Sequence, residues 1–448
     1  MLDSTKHNFR EKILKCVQEG TDGLSKRTDD LEQRINTTSN DIIKKIDDTT
    51  YTITNYSVEK NYISSEYILD SLCASKKNKP RVLICGYYGA RNLGDELMLQ
   101  SLLKKLDQKK LDITIMLAPC LETDASIYAP YNVIHYPARN DDILLLAKNY
   151  DYIVWGGGAV LDDSYYYFNY LNNALGYILI KLSLAAFQFN KKVYVLGVST
   201  NRLLEDRVFI SDLQTVIDKA DYFSLRDTNS LKTLRNANLN TKKINIIDDL
   251  VISNIPTFTP TKKPNTLCVS MTFLFDDANI SKIQTFIKLA IKKLQNFDTH
   301  KKVIIHLTPF FDQGNHDEKY FKTILNQLVT SNHQNTTIII DQFPDNIEKL
   351  LDIYTECDCV LSMRYHATLI ASLCGIKTLS IDYGNSHRHY YNKLDYIEKH
   401  YQKFAKINFD DITNQKVVDQ AINTALSQKT TIANLNKYQF PSIIKEIK

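Results

Sequence analysis

Glycine is scarce in this chain, at 13 of 448 residues against roughly 7% in ordinary globular proteins. That excludes glycine-rich linkers and gives meaning to the places where glycines gather. The eight cysteines contain no C-x-x-C pair, which excludes the common zinc-ribbon and thioredoxin spacings. They read as reduced core residues of a cytoplasmic protein. No run of 18 apolar residues occurs, so no membrane-spanning helix is expected. The start, Met1 to Lys6, lacks the apolar core of a signal peptide. Neither sign of charge dominates. A formal net charge of +4 is too small and too evenly spread for nucleic acid. It leaves open attraction to anionic substrates or peripheral contact with the inner face of a membrane. The dinucleotide fingerprint G-x-G-x-x-G is absent, so nicotinamide and flavin binding are unsupported.

What is present begins with three glycines in one segment, Cys85-Gly86-Tyr87-Tyr88-Gly89-Ala90-Arg91-Asn92-Leu93-Gly94-Asp95-Glu96. An apolar run, Val82 to Cys85, precedes it, and a helical pattern of leucines from Leu97 to Leu106 follows. This is strand, turn, helix. Glycine lets backbone approach a ligand, and a helix start offers free N–H groups to an anion. An ordinary tight turn with Asp95 and Glu96 as acidic caps fits equally well.

A hydrophobic share of 44% is ample for buried cores, and 448 residues call for two or three domains. Residues 1–79 balance acid and base and carry apolar residues in two series eleven apart: Ile13, Leu24, Ile35, Ile46 and Leu31, Ile42, Ile53. That period keeps one narrow stripe on a nearly straight helix. Its polar remainder predicts self-association, a coiled-coil-like homo-oligomerisation segment; packing on the chain's own body, or a partly disordered leader, is the alternative. From residue 80, strand and helix patterns alternate. Strands are expected at 81–85, 112–117, 131–135, 152–155, 192–196, 222–225 and 243–247. A second series follows at 266–271, 302–307, 336–340, 359–361 and 377–382. The fold class expected is α/β, with two Rossmann-like domains (80–260 and 261–395) in a GT-B-like arrangement. Residues 396–448 read as helices packing back on the body. Ligands in such sheets sit at the carboxyl ends of strands.

Four strand ends stand out. One is the opening glycine turn, with Gly89, Asn92 and Asp95. A second is Trp155-Gly156-Gly157-Gly158, followed by Asp162-Asp163, read as a turn whose bare N–H groups line a ligand. The third is Ser224-Leu225-Arg226-Asp227, whose arginine suits a phosphate or carboxylate; a surface Arg–Asp pair is the plainer reading. The fourth is Ser362-Met363-Arg364-Tyr365-His366-Ala367, where a fixed charge and a titratable ring flank a strand-to-helix turn.

Together these segments resemble the polysaccharide pyruvyl transferase family. The carriers are G-Y-Y-G-A-R-N-L-G-D-E-L, the triple glycine with its acids, S-x-R-D, the acidic pair Asp248-Asp249 and R-x-H-A, in that order from about residue 81 to 395. Two departures are visible: Tyr365 where leucine is common, and Leu250 in place of a proline after the acidic pair. The resemblance implies transfer of a pyruvyl group from phosphoenolpyruvate onto two hydroxyls of a glycan sugar, giving a ketal in surface-polysaccharide synthesis. The acceptor would be a glycan or lipid-linked saccharide. By the same resemblance, Arg226 and Arg364 bind the donor's charged groups, His366 is the general acid and Asp95 serves the acceptor. Gly89, Asn92, Gly156, Gly157 and Gly158 line the substrates. Phosphoenolpyruvate is the donor substrate, and neither a cofactor nor a metal is expected. Two alternatives stay open: a GT-B glycosyltransferase using a nucleotide sugar, and a non-catalytic assembly subunit.

Secondary features are Asp382, Tyr383, His387, Arg388 and His389 after the last strand of the second domain, His306 and Pro309, His316-Asp317, and Tyr165-Tyr166-Tyr167. None has recognised metal-ligand spacing.

Overall fold

Strands covered on both faces read as unbroken apolar runs, and Val82-Leu83-Ile84-Cys85 is fully buried for that reason. The computed structural model describes residues 79–448 except 107–109, 118–124, 138–139, 164–174, 201–202, 262, 276–277, 298–300, 329–334, 384–392, 402, 436–437, 439, 443–446 and 448. The segment 1–79 expected to self-associate lies outside the described residues through residue 78. So do Tyr165–Tyr167, His387, Arg388 and His389.

The first sheet holds β1 (Arg81–Cys85), β2 (Asp112–Leu117), β3 (Asn132–His135), β4 (Tyr152–Leu161), β5 (Lys192–Thr200), β6 (Tyr222–Leu225) and β7 (Ile244–Ile246). Its order is β3-β2-β1-β4-β5-β6-β7, and every pairing is parallel. Between these strands run α1 (Leu93–Leu103), α2 (Asn140–Asn149), α3 (Leu175–Gln188), α4 (Arg207–Lys219) and α5 (Thr228–Asn236).

The second sheet holds β8 (Thr266–Thr272), β9 (Lys302–Leu307), β10 (Thr336–Ile340), β11 (Cys359–Ser362), β12 (Lys377–Asp382) and β13 (Ala405–Asn408). It is also parallel, in the order β10-β9-β8-β11-β12-β13. Its helices are α6 (Ile280–Phe297), α7 (His316–Leu328), α8 (Ile347–Thr355), α9 (Tyr365–Leu373), α10 (Lys393–His400) and α11 (Gln415–Ser427). Two Rossmann-like halves in a GT-B-like fold result.

Two readings of the sequence need correction. The triple glycine is no turn: β4 runs through it to Leu161. Gly157 and Gly158 have φ of 89° and 88°, a region that L side chains avoid, and the pairing with β5 shifts register just beyond Gly158. The three glycines make room for side chains from the β1–α1 segment. A Cβ on Gly156 would lie 2.0 Å from Tyr88 Oη, one on Gly157 2.9 Å from Met98 Sδ, and one on Gly158 3.0 Å from Asp95 Oδ1. Tyr88 Oη donates to the Gly156 carbonyl at 2.6 Å. The second correction concerns residues 396–448, which are not helical throughout. Ala405–Asn408 pairs with β12 as an edge strand whose residues alternate buried and exposed.

In each sheet the strand order reverses, between β1 and β4 and between β8 and β11. These switch points are where open α/β sheets bind ligands. The halves meet there. Leu93 N donates to the Phe310 carbonyl (2.9 Å), Asp312 N donates to the Arg91 carbonyl (3.1 Å), and the Arg91 guanidinium pairs with Asp312 at 2.6 Å. Behind the polar contacts, one apolar cluster runs from Val82 and Ile84 through Leu97 and Leu250 to Ile347 and Ile370, spanning both halves. The chain's end crosses the same junction: Ala433 N donates to the Leu373 carbonyl, and Phe440 stands 5.8 Å from Lys105 Nζ. No described helix is long and apolar enough to cross a membrane.

Candidate active site

The β1–α1 segment supplies the first half's acids. Asn92 caps α1 through its backbone, its carbonyl accepting from Asp95 N and Glu96 N at 3.0 Å each. Glu96 turns back: Oε1 accepts from Gly89 N (2.9 Å) and Oε2 from Tyr128 Oη (3.0 Å). Burial pushes its carboxyl up to about 7 against those two hydrogen bonds. Gly89 and Glu96 thus shape the turn, and Asp95, one position earlier in the helix, lies against Gly158 of β4. Burial pushes Asp95 up to about 6, opposed by the charges of His366 and Arg226.

The S-x-R-D segment divides its work by residue. Ser224 Oγ donates to the Val195 carbonyl and accepts from Gly197 N, bracing β6 on β5. Asp227 caps α5, accepting from Ser230 N at 2.6 Å and Ser230 Oγ at 3.0 Å. Arg226, only 3% exposed, projects to the cleft. Its Nη1 donates to Asp249 Oδ2 at 3.0 Å and stands 3.4 Å from His366 Nε2. Its Cζ lies 4.6 Å from the Tyr365 ring centre, a cation–π geometry. Burial opposes the charge, yet Asp249 holds the guanidinium above its ordinary value. Arg226 Nε is buried with no hydrogen-bond partner among the described residues.

Asp249 is the shared anion. Its Oδ2 faces Arg226 and, at 3.4 Å, His366 Nε2, while Oδ1 accepts from Val251 N at 3.1 Å. Burial pushes its carboxyl up, but His366, Arg226 and the Val251 amide together hold it well below the usual aspartate range.

From the second half, β11 delivers Arg364 at the cap of α9 and His366 in its first turn; Ser362 Oγ braces the bend by accepting from Arg364 N at 2.9 Å. His366 rests on α1. A Cβ on Gly94 would fall 1.9 Å from His366 Nδ1, so only glycine at 94 admits the ring. Arg364 turns the other way. Nε donates to the Phe273 carbonyl (2.8 Å), and Nη2 lies 3.3–3.4 Å from both oxygens of Asp317. Burial lowers its basicity and Asp317 counters. Asp317 also accepts from Phe310 N and Phe311 N at 2.9 and 2.8 Å, fixing the loop that meets α1.

The structure therefore joins Arg226 and His366 directly and sets Asp95 in the electrostatic reach of Arg226, His366 and Arg364. Gly156, Gly157 and Gly158 stand behind Tyr88, Met98 and Asp95 as spacers. Four participants were not assigned a role from the sequence: Asp249, Gly94, Asp317 and Lys393. Asp249 carried a signal, as an acid following a short strand. Lys393 opens α10, where burial, aided by Arg226, brings its ammonium down to about 7 against the carboxylates of Asp227, Asp95 and Asp249. Among the described residues, no group of three or more His, Cys, Asp or Glu could hold a metal ion.

Gly94→Ala tests the seat of the ring. Alanine is the better helix former, so the fold is expected to stand while the imidazole is displaced. A misplacement on that scale costs about a hundredfold in turnover. Wild-type kcat in a folded variant would show that His366 does not act from this position.

Two parallel sheets, joined by a buried Arg–Asp–His contact between their halves, define a GT-B-like fold. The chain belongs to the polysaccharide pyruvyl transferase family, which matches residues 92–385. No curated protein sequence matches it. Among solved structures, the UDP-GlcNAc 2-epimerase of Methanocaldococcus jannaschii is similar at 10% identity and a TM-score of 0.50, covering 80% of this chain and 95% of that one. The UDP-GlcNAc 2-epimerase of Neisseria meningitidis aligns at 12% identity and a TM-score of 0.45, covering 80% and 97%. At 10% identity the likeness to the Methanocaldococcus jannaschii enzyme is one of fold.

Proposed function

We propose that this protein transfers the pyruvyl group of phosphoenolpyruvate onto two hydroxyls of a glycan or lipid-linked saccharide, forming a ketal in surface-polysaccharide synthesis. The observation that carries this reading is the contact of Arg226, from one half, with His366, from the other, on the buried Asp249 carboxylate. The donor brings a phosphate and a carboxylate. Cations held in a water-poor cleft favour such an anion more than surface charges do, and Arg226 Nε is a donor with no protein partner among the described residues. Arg364 and Lys393 add positive charge on the second-half side.

In this reading His366 gives its Nε2 proton, the one facing Asp249, to the methylene carbon of the enolpyruvyl group, leaving the adjacent carbon electrophilic. A sugar hydroxyl attacks that carbon, and Asp95 accepts its proton. The carbon–oxygen bond to phosphate then breaks, inorganic phosphate leaves with the proton held by Asp95, and the second hydroxyl attacks the same carbon to close the ketal, its proton returning to His366. Asp95 suits the base role because its elevated basicity places it nearer neutrality than an ordinary aspartate.

Calorimetric titration tests the donor. Phosphoenolpyruvate is expected to bind the full-length protein, and Arg226→Met to weaken it by at least about tenfold, the cost of one charged hydrogen bond. Binding of a nucleotide sugar in place of phosphoenolpyruvate would move the reading to glycosyl transfer. Silence from both donors in the presence of saccharide would favour the assembly role.

A further inference from the structure

A second reactive arrangement lies in the second half, on residues the transfer reaction does not use. Cys268 in β8 and Cys357, just past α8, are both buried, with their sulfurs 3.7 Å apart. Cys357 Sγ also lies 3.3 Å from the Ile353 carbonyl, a second acceptor for its single proton. His306 of β9 pairs in register with Ser270, two residues along β8 from Cys268 and on the same face of the sheet, within electrostatic reach of the thiol. His306 Nδ1 stands 2.7 Å from Asp341 Oδ1, and Asp341 Oδ2 accepts from Thr308 Oγ1 at 2.7 Å. Thr308 Oγ1 in turn lies 2.9 Å from Ser270 Oγ. The carboxylate is thereby oriented to keep a proton on His306, and His306 faces the thiol.

The electrostatics follow this geometry. Burial disfavours the charged ring, but the Asp341 and Cys268 contacts raise His306 to about 10. The Cys357 hydrogen bond and, against burial, the His306 contact bring Cys268 down to about 6. Cys357 moves the other way, well above its ordinary value, through its bond to Cys268 and its burial. The two sulfurs thus shift in opposite directions, the division that a nucleophilic and a resolving cysteine need. The other described cysteines lack it: Cys359 and Cys374 are each pushed up to about 12 by burial.

We propose that Cys268 and Cys357 are an oxidant-reactive dithiol that closes to a disulfide, with His306 and Asp341 positioning the thiolate. With hydrogen peroxide as oxidant, the Cys268 thiolate attacks one peroxide oxygen. The O–O bond breaks, Cys268 becomes a sulfenic acid, and the departing hydroxide takes the His306 proton as water. The Cys357 sulfur then attacks the sulfenic sulfur. The S–O bond breaks, the hydroxide leaves with the Cys357 proton as a second water, and the S–S bond forms. Two thiols are oxidised by two electrons and one peroxide is reduced.

The test is mass spectrometry on the full-length protein after equimolar hydrogen peroxide, digested without reductant. The expected result is one linked pair of peptides carrying Cys268 and Cys357, with two thiols lost and both restored by a dithiol reductant. Cys357→Ser is expected to stop at the sulfenic acid, captured at Cys268 by a cyclic dione. His306→Asn is expected to slow oxidation of Cys268 about tenfold at pH 7 and to move the midpoint of its pH–rate profile upward. Recovery of both cysteines as free thiols after oxidant, or a link between other cysteines, overturns the proposal. An unchanged profile in His306→Asn removes the histidine from it. The wild-type crosslink decides the main point even if a variant fails to fold.

Discussion

Replacing His366 with alanine is expected to lower kcat for pyruvyl transfer by about a thousandfold, the range for loss of a positioned general acid. Phosphoenolpyruvate binding is expected to stay within about threefold, since the guanidinium and its carboxylate partner remain. The reason lies in how the ring is held. Nε2 faces the buried Asp249 carboxylate and Nδ1 rests over Gly94, so neither the tilt of the ring nor its charge partner is left to solvent. Rapid-quench measurement of phosphate release, with calorimetry on the same preparation, separates the two effects. A rate within tenfold of wild type would remove His366 from proton transfer, and a large loss of donor affinity would recast it as a binding residue.

The second large effect concerns stability. Asp249→Ala leaves a buried, charged Arg226 without its counter-ion, and breaking such a pair from one side costs about 3–5 kcal/mol. A fall in Tm of roughly 5–10 °C is expected at neutral pH. Adding Arg226→Met is expected to recover most of it, because removing both charges also removes the unpaired one. The pH dependence has a fixed sign. The carboxyl of Asp249 titrates lower in the folded chain than in the unfolded one, so its contribution is complete above about pH 4 and drains away as the pH falls below that. The wild-type advantage over Asp249→Ala should therefore shrink on acidification. An advantage that grows toward low pH, or a single variant as stable as wild type at pH 7, would show that the carboxylate does not compensate Arg226. Double-mutant thermal denaturation at two pH values measures both.

The alternation of strands and helices was legible because buried parallel strands are contiguous apolar runs. Arg81–Cys85, Asp112–Leu117, Tyr222–Leu225 and Lys302–Leu307 stand where the pattern put them. Ala405–Asn408 was not legible: it is a four-residue edge strand with outward Lys406 and Asn408, which reads as polar surface. The triple glycine misled for a different reason. Glycine usually marks a chain reversal, whereas here it clears space for Tyr88, Met98 and Asp95. The charged residues of the site were legible as types at strand ends. Their partnerships were not, because Arg226 meets Asp249 across 23 positions and His366 across 140. Which carboxylate each arginine would choose depends on how the two sheets face each other.

The apolar cluster shared by the two halves bears on how the catalyst moves. Separating the halves would wet Leu97, Leu250, Ile347 and their neighbours. Uncovering even about 300 Å² of such surface costs roughly 7 kcal/mol, which leaves an open form at about one molecule in 10⁵. Wide breathing between the lobes is thus too rare to admit each substrate in turn. Entry and exit fall instead to side chains and loops at the cleft rim, which rearrange in nanoseconds to microseconds. The contact of Arg226, Asp249 and His366 is consequently assembled before any ligand arrives.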